Sequence, residues 1–539
     1  MSRILSAFAA IAFLTLAAWW WPNRPQGADV PMLAERFNSV SFAPFRPGHS
    51  PLRDIFPTAA EVEADIALIA PRVRAIRTYA SIEGQYEVAE IAARHGVRMW
   101  KGAWLGSSRT QNERELARLI QIANAHPETV ERVVVGNEVL LRRDLPVSEL
   151  IAALDRVKAA VRQPVTYADV WEFWVQFPEL AAHVDIITIH ILPYWEDEPL
   201  GVARTMAHVR DVFQRMQAMF PGRQIAIGEI GWPSRGRWRE DAAPSRVNQA
   251  VFIREFITLS REMGFDYNLI EAFDQVWKYK SEGTVGAAWG LWTADRAEKF
   301  PLSGPVVENP DWPWYAGLAL LLTGMLFGLT RLAFPAAGWR EALAAGALGN
   351  ALAYAVCGGV PYAFDEHLKV AVAFNLTGQV MLAALLMRRV AMADAPLPPR
   401  AGREATAMVR GLLLGRWRVL HEWRSFALHD LFFVFAWAAM VLQVMLLVDP
   451  RYRDFPFATF AVPLVVVLVR ALARDLPRDG GGREEWVLGL VLVGCAVASA
   501  IREHPSNLQA MAWTLCAFAL ALPVLLRVLP SAPKPGIQI

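Results

Sequence analysis

The sequence predicts two structural classes in one chain. The first is α/β, a (β/α)8 TIM barrel forming an exported domain; an all-α multi-span transmembrane bundle follows it. Three observations carry this. Short β-branched runs alternate with amphipathic helical patterns eight times over about 260 residues. Beyond Trp312 a globular mixture of charged and apolar residues gives way to long apolar runs. Overall, 54% of the 539 residues are hydrophobic and mean hydropathy is +0.25, too apolar for a purely soluble protein. A net charge of +2 gives no sign of a nucleic-acid partner.

Three segments follow: residues 1–29 as an N-terminal transmembrane signal anchor, 30–311 as the barrel, and 312–539 as a bundle of about seven helices. Ile4 to Trp21 is apolar, follows Arg3 and ends in Trp19-Trp20-Trp21. No A-x-A site precedes the tryptophans, which resemble an interfacial belt, so an uncleaved anchor is expected. Later candidate spans are Trp314–Ala333, Leu343–Val360, Leu368–Met387, Leu428–Val448, Phe457–Leu472, Trp486–Ile501 and Leu508–Leu526. The fifth and sixth of these are short. With the anchor they make eight. Alternation then gathers Arg3, Arg331, Arg340, the arginines from Arg388 to Arg424, those from Arg470 to Arg483, Arg527 and Lys534 on one side. The positive-inside rule makes that side the cytoplasm, with both termini in it. The barrel then lies outside, in the periplasm of a Gram-negative cell. Cys357, Cys495 and Cys516 all fall in apolar spans, so no disulfide is expected in the barrel.

The expected strands are Ser39–Phe42, Ala75–Tyr79, Arg98–Ala103, Arg132–Asn137, Pro164–Tyr167, Asp185–His190, Gln224–Gly228 and Asn268–Ala272. Helices fall between them: Asn112–Ala125 carries Leu116, Leu119, Ile120 and Ala123 on one face, and another begins at Ser148. An open doubly wound sheet is disfavoured, because no glycine-rich phosphate turn follows any strand. In a barrel, chemistry belongs at the carboxyl ends of strands. Those ends read Pro44-Phe45, Tyr79, Trp104, Asn137-Glu138, Tyr167 to Asp169, His190, Glu229 and Glu271 to Asp274, a polar and aromatic set.

Glu138 and Glu229 end the fourth and seventh strands, on opposite sides of the barrel mouth. A retaining glycosidase needs such a pair, one carboxyl to protonate the leaving oxygen and one to attack the anomeric carbon. Asn137, beside Glu138, is placed to hydrogen-bond a sugar 2-hydroxyl. No cofactor is implied, and no His/Cys/Asp cluster has metal-ligand spacing, so no metal is expected.

Gly136-Asn137-Glu138 and Gly228-Glu229-Ile230-Gly231-Trp232-Pro233-Ser234 resemble the two signatures of glycoside hydrolase family 17, the β-1,3-glucanases and glucanosyltransferases of the 4/7 barrel superfamily. The resemblance extends to Ser41–Phe45, Arg77-Thr78-Tyr79, His190–Trp195, Glu271–Lys278 and Trp289–Trp292. It spans the barrel and excludes the bundle. It implies Glu138 as acid/base and Glu229 as nucleophile. Ile230 stands where the plant signature has Thr, a change that leaves the nucleophile in place.

The remaining candidates each have a structural rival. Tyr79, Tyr167 and Tyr194 either hydrogen-bond Glu229 and sugar hydroxyls or pack at the rim. His190 either orients a carboxylate or is a satisfied rim histidine. Trp195, Trp232, Trp277, Trp289 and Trp292 divide between sugar-stacking platforms and core. Glu271, Asp274 and Lys278 bind hydroxyls or form a structural ion pair.

A secreted glucanase has no use for a membrane bundle. The architecture resembles bacterial membrane-bound family members associated with periplasmic β-(1,3)/(1,6)-glucan synthesis. The expectation is a membrane-anchored retaining transglycosylase that remodels or branches β-1,3(1,6)-glucan, with an endo- or exo-acting hydrolase as alternative. A non-catalytic glucan-binding scaffold or transporter component is the rival from another class. Expected partners are β-glucan, the lipid bilayer and a membrane glucan synthase. Asn350, Asn375, Gln379, His429, Asp430 and Gln443 lie in the spans and read as helix–helix hydrogen-bonding groups.

Overall fold

A computed structural model describes residues 2–27, 36–82, 84, 87–392, 410–411, 413–416, 428–476 and 481–528. Much of the arginine-rich stretch, including Arg400, Arg403, Arg418 and Arg424, lies outside the described residues, as do Arg478 and Lys534. The chain divides into two compact units, Pro25–Val307 and Met1–Arg24 with Glu308–Ile539.

The first unit is a closed, all-parallel barrel of eight strands in chain order. These are β1 (Phe37–Ser41), β2 (Val73–Arg77), β3 (Arg98–Ala103), β4 (Val130–Asn137), β5 (Val165–Val170), β6 (Ile186–His190), β7 (Gln224–Ile230) and β8 (Asp266–Leu269). All eight expected strands are present. β8 stops three residues early, and Ile270 to Ala272 continue as loop. Two of the helices show their start signals in side-chain caps. Thr58 and Glu61 make a reciprocal capping box, and Ser245 accepts from the Asn248 N–H. The helix Arg246–Met263 ends at Gly264, whose φ of 69° suits glycine. Apolar strand and helix faces merge into one large core. A separate small cluster of Ala75, Trp100, Val134 and Ala168, one residue from each of β2 to β5, is equally dry.

Regular pairing breaks near the carboxyl ends of the strands that matter. The β4–β5 register shifts between Val134 and Asn137, β6–β7 between Ile189 and His190, and β7–β8 between Ile227 and Ile230. Such irregularities turn side chains away from the alternation of a regular strand.

In the second unit, seven helices among the described residues are long and apolar enough to cross a bilayer. They are Ser2–Asn23, Trp312–Ala333, Trp339–Gly359 with its 3-10 extension, Glu366–Ala391, Leu428–Val448, Arg483–Arg502 and Leu508–Leu526. The segment expected at Trp486–Ile501 is a full 20-residue helix. The one expected at Phe457–Leu472 is short, a 3-10 turn leading into the 12-residue helix Ala461–Leu472. Contacts between helix ends fix its direction. Asp475, after that helix, pairs with Arg389 at the end of Glu366–Ala391, at 2.6 Å. Arg470 meets His429, at the start of Leu428–Val448, at 3.1 Å. Gly481 N–H donates to the Arg527 carbonyl at 3.1 Å. Ala461–Leu472 therefore returns to the end of the bundle where Leu428–Val448 began, and the segments alternate. The N-terminal helix runs antiparallel to Trp312–Ala333, Phe8 meeting Phe327 and Trp19 meeting Tyr315.

Candidate active site

Glu229 lies in β7 and is almost fully buried. Its Oε1 accepts from Tyr79 Oη at 2.8 Å and from Arg77 Nη1 at 3.2 Å. Among the described residues its Oε2 takes no hydrogen bond. The same Arg77 nitrogen donates to the Gly228 carbonyl at 2.6 Å, and Nη2 donates to Asn137 Oδ1 at 2.5 Å. Arg77 thus ties the ends of β4 and β7 together from β2. Ser41 Oγ is 2.8 Å from Tyr79 Oη, and Asn268 Nδ2 donates to Ser41 Oγ at 2.7 Å. Burial first, and the Glu229 charge second, hold the Tyr79 phenol well above its ordinary pKa. It stays a donor to Glu229 at any working pH.

Glu138 follows β4 in the left-handed region, φ 51°, just after Gly136 at φ 85°. A non-glycine residue there is strained, and the Glu138 N–H bond to Ala168 O at 2.8 Å helps hold it. A Cβ on Gly136 would meet Val139 Cγ2 at 2.7 Å, so both space and φ require glycine. His190, fully buried, places Nδ1 3.0 Å from Glu138 Oε1 and Nε2 3.8 Å from Glu229 Oε1. Burial pushes the Glu138 carboxyl up. The His190 hydrogen bond and charge, then Arg142 and Arg77, outweigh this and hold it below its ordinary value.

One atom from each of Glu138, His190 and Glu229 lies within 4.8 Å of the others. The sequence offered no ligand spacing, yet folding assembles three potential ligands. A cation there would meet the Arg77 guanidinium already bound to Glu229 Oε1, so the trio fits proton and glycosyl chemistry better than metal binding.

The structure brings Glu138, Glu229, Tyr79, Asn137 and His190 into one cluster. It corrects other expectations. Tyr167 is fully buried; its hydroxyl donates to Asp169 and accepts from the Leu140 N–H at 3.0 Å, so it braces the Glu138 turn and reaches no sugar. Tyr194 is buried too, donating to the Arg237 carbonyl at 2.6 Å. Trp232 stacks on Phe252 and donates to Ala243 O, while Trp289 and Trp292 are core. Trp195, stacked on Trp289, and Trp277 are half-buried and retain an open part. Glu271 is buried against Lys278 at 3.1 Å, and burial pushes it up to about 7 although Lys278 opposes this. Asp274 is locked by Lys299 at 2.6 Å and the Gly290 N–H at 3.0 Å, which makes it structural. Sequence reasoning placed Ser41 and Arg77 in the motif segments without giving them a role, and it missed Asn268 and Lys299 as parts of this region. The available signal for Arg77 was an arginine at the carboxyl end of a strand, two residues before Tyr79.

A family model described as the BtgE/BtgC glycoside hydrolase domain matches residues 39–290. The chain is 25% identical over 263 residues to a glucan 1,3-beta-glucosidase of Candida albicans, covering 44% of this chain and 85% of that one. It is 24% identical over 290 residues to a probable glucan endo-1,3-beta-glucosidase of Aspergillus flavus, covering 47% and 41%. The solved glycoside hydrolase family 17 beta-1,3-glucanosyltransferase from Rhizomucor miehei aligns at 23% identity, 50% and 97% coverage and a TM-score of 0.44.

Proposed function

We propose, from the match of residues 39–290 to the BtgE/BtgC glycoside hydrolase domain, that this chain is a membrane-anchored retaining transglycosylase that remodels or branches β-1,3(1,6)-glucan. The observation that carries the reading is the approach of the Glu138 and Glu229 carboxylates to within 4.8 Å. Retaining enzymes space this pair at about 5 Å, whereas inverting ones leave room for a water at roughly 6.5–9.5 Å.

In the proposed first step Glu229 Oε2 attacks C1 of the glucosyl unit. The glycosidic C1–O bond breaks, and its oxygen takes the proton of Glu138. Arg77 and Tyr79 occupy Oε1, so the free oxygen is the one that attacks. In the second step a hydroxyl of the acceptor attacks C1. Its proton passes to Glu138, the ester bond breaks and Glu229 is regenerated. Asn137, oriented by Arg77, supports the 2-hydroxyl in both.

Transfer rather than hydrolysis is supported by the bundle, which ties both ends of the barrel sequence to apolar helices and so keeps the enzyme where a polymer would emerge from a membrane synthase. The arginine distribution supports a bacterial inner-membrane location, both termini cytoplasmic and the barrel periplasmic. The names of the curated relatives favour a second reading, hydrolysis of β-1,3-glucan.

The test is incubation of the full-length protein in detergent with β-1,3-gluco-oligosaccharides, followed by NMR and mass spectrometry. Initial products keep the β configuration, and oligosaccharides longer than the donor accumulate. First release of the inverted anomer overturns the mechanism. Hydrolysis alone at high acceptor concentration overturns transfer. Glu229→Gln abolishes the cellular role of an enzyme and preserves that of a scaffold.

A further inference from the structure

The turn that carries Glu138 holds a second assembly that the mechanism leaves unused. Trp104 follows β3, the strand next to β4, and is 37% exposed. The Arg142 guanidinium lies against its indole, 4.2 Å from the ring. That guanidinium is engaged on every nitrogen. Nε donates to Asp144 at 2.7 Å, Nη2 to the Leu105 carbonyl at 2.9 Å, and Nη1 to the Asn137 carbonyl. The Arg142 N–H donates to the Glu138 carbonyl at 2.9 Å. One arginine therefore links the exit of β3, the indole and the backbone on both sides of Glu138.

We propose that Trp104 is the platform of an acceptor-side subsite, on which a pyranose ring of the leaving or incoming glucan stacks, and that Arg142 is the positioning residue fixing this platform relative to Glu138. This rests on the retaining β-glucan reading. The side follows from the chemistry. Glu138 gives a proton to the departing oxygen and takes one from the entering hydroxyl, so the sugar bearing that oxygen lies on the Glu138 flank. Trp104 is anchored to that flank through Arg142, while Glu229 comes from β7. The platform is also prepared. An exposed indole held by a fully bonded guanidinium has little rotamer freedom left to lose when a sugar docks. A merely structural pair would gain more by burying the ring.

The test uses the full-length protein in detergent with β-1,3-glucotriose as donor and acceptor. Trp104→Ala lowers the ratio of transfer to hydrolysis and raises the acceptor KM, each by about fivefold to tenfold, the scale of one lost aromatic contact. Trp104→Phe recovers most of both. Arg142→Met raises the acceptor KM similarly, and the double variant raises it no further than the worse single one, because the arginine acts through the ring. In an inactive Glu229→Gln background, calorimetry shows the same loss of oligosaccharide affinity on Trp104→Ala. Unchanged ratio, KM and affinity in Trp104→Ala overturn the subsite while leaving the β-glucan reading intact, and additive effects in the double variant overturn the role of Arg142. Failure of the Glu229→Gln protein to bind β-1,3-glucan overturns the substrate reading itself.

Discussion

Arg77 organises the candidate site. Its guanidinium meets Glu229, the Gly228 carbonyl and Asn137, and it comes from a third strand. Truncating it leaves two buried strand ends unpaired, so Arg77→Met should cost several kcal/mol of barrel stability as well as activity; a modest shift in thermal unfolding would contradict this. In the proposed mechanism Glu138 is the group whose titration matters for rate. With its carboxyl held low by His190, the acid form persists only at acidic pH, so the alkaline limb of kcat/KM lies on the acid side of neutrality. His190→Asn removes the charge and weakens the bond, which moves that limb upward; a profile that stays in place would show that another group sets it. Glu138→Gln should lose about 10²–10⁴-fold on oligosaccharides and much less on aryl glucosides whose leaving groups need no proton. Two other carboxyls act on stability. Asp169, pushed up to about 6, and Glu271, up to about 7, are both raised mainly by burial. Between the ordinary carboxyl range and those values the fold holds protons that the unfolded chain has released, so stability falls as pH rises from about 5 to about 8. Asp169→Asn should flatten that slope in a series of thermal melts.

At the scale of elements, strand ends and helix contacts divide the work. The broken register at the ends of β4 and β7 aims two glutamates at one another, and Gly136 permits the turn. Gly136→Ala should cost about 1–2 kcal/mol and displace Glu138, seen as a loss in kcat larger than any change in KM. In the bundle, Gln443 joins three helices. It accepts from Trp513 Nε1 at 2.7 Å and donates to Ser499 Oγ at 2.9 Å and to the Cys495 carbonyl at 3.2 Å. The reading of Gln443 as a helix–helix hydrogen-bonding group fits this contact set. Gln443→Leu should destabilise the bundle by about 1–2 kcal/mol in detergent unfolding. Asn350 plays the same part for the N-terminal helix, donating to Thr15 at 2.8 Å and accepting from Trp19 at 3.1 Å. Such a helix is part of the packing. Terminal sequencing of the membrane-extracted protein should therefore recover the segment around Trp19; its loss would contradict retention.

At the scale of the molecule, the sequence by itself determined the fold class, because period and length are local properties. Eight alternations fix a barrel, and apolar runs near 20 residues fix helices of bilayer length. It also determined Glu138, Glu229, Asn137, Tyr79 and His190 as strand-end groups, since a strand's end is legible wherever an apolar run stops at a polar residue. Only the tertiary structure decided which aromatic residues are open. Tyr167, Tyr194, Trp232 and Trp289 look like Trp104 and Trp195 in sequence, and burial alone separates them. It also decided that Asp274 belongs to Lys299, 25 residues away, and that Arg77 spans the mouth from β2 to β4 and β7. The physical reason is the same in each case. Periodicity reports which face of an element is apolar, whereas the partner of a buried charge or ring is set by where closure of the barrel places distant strands.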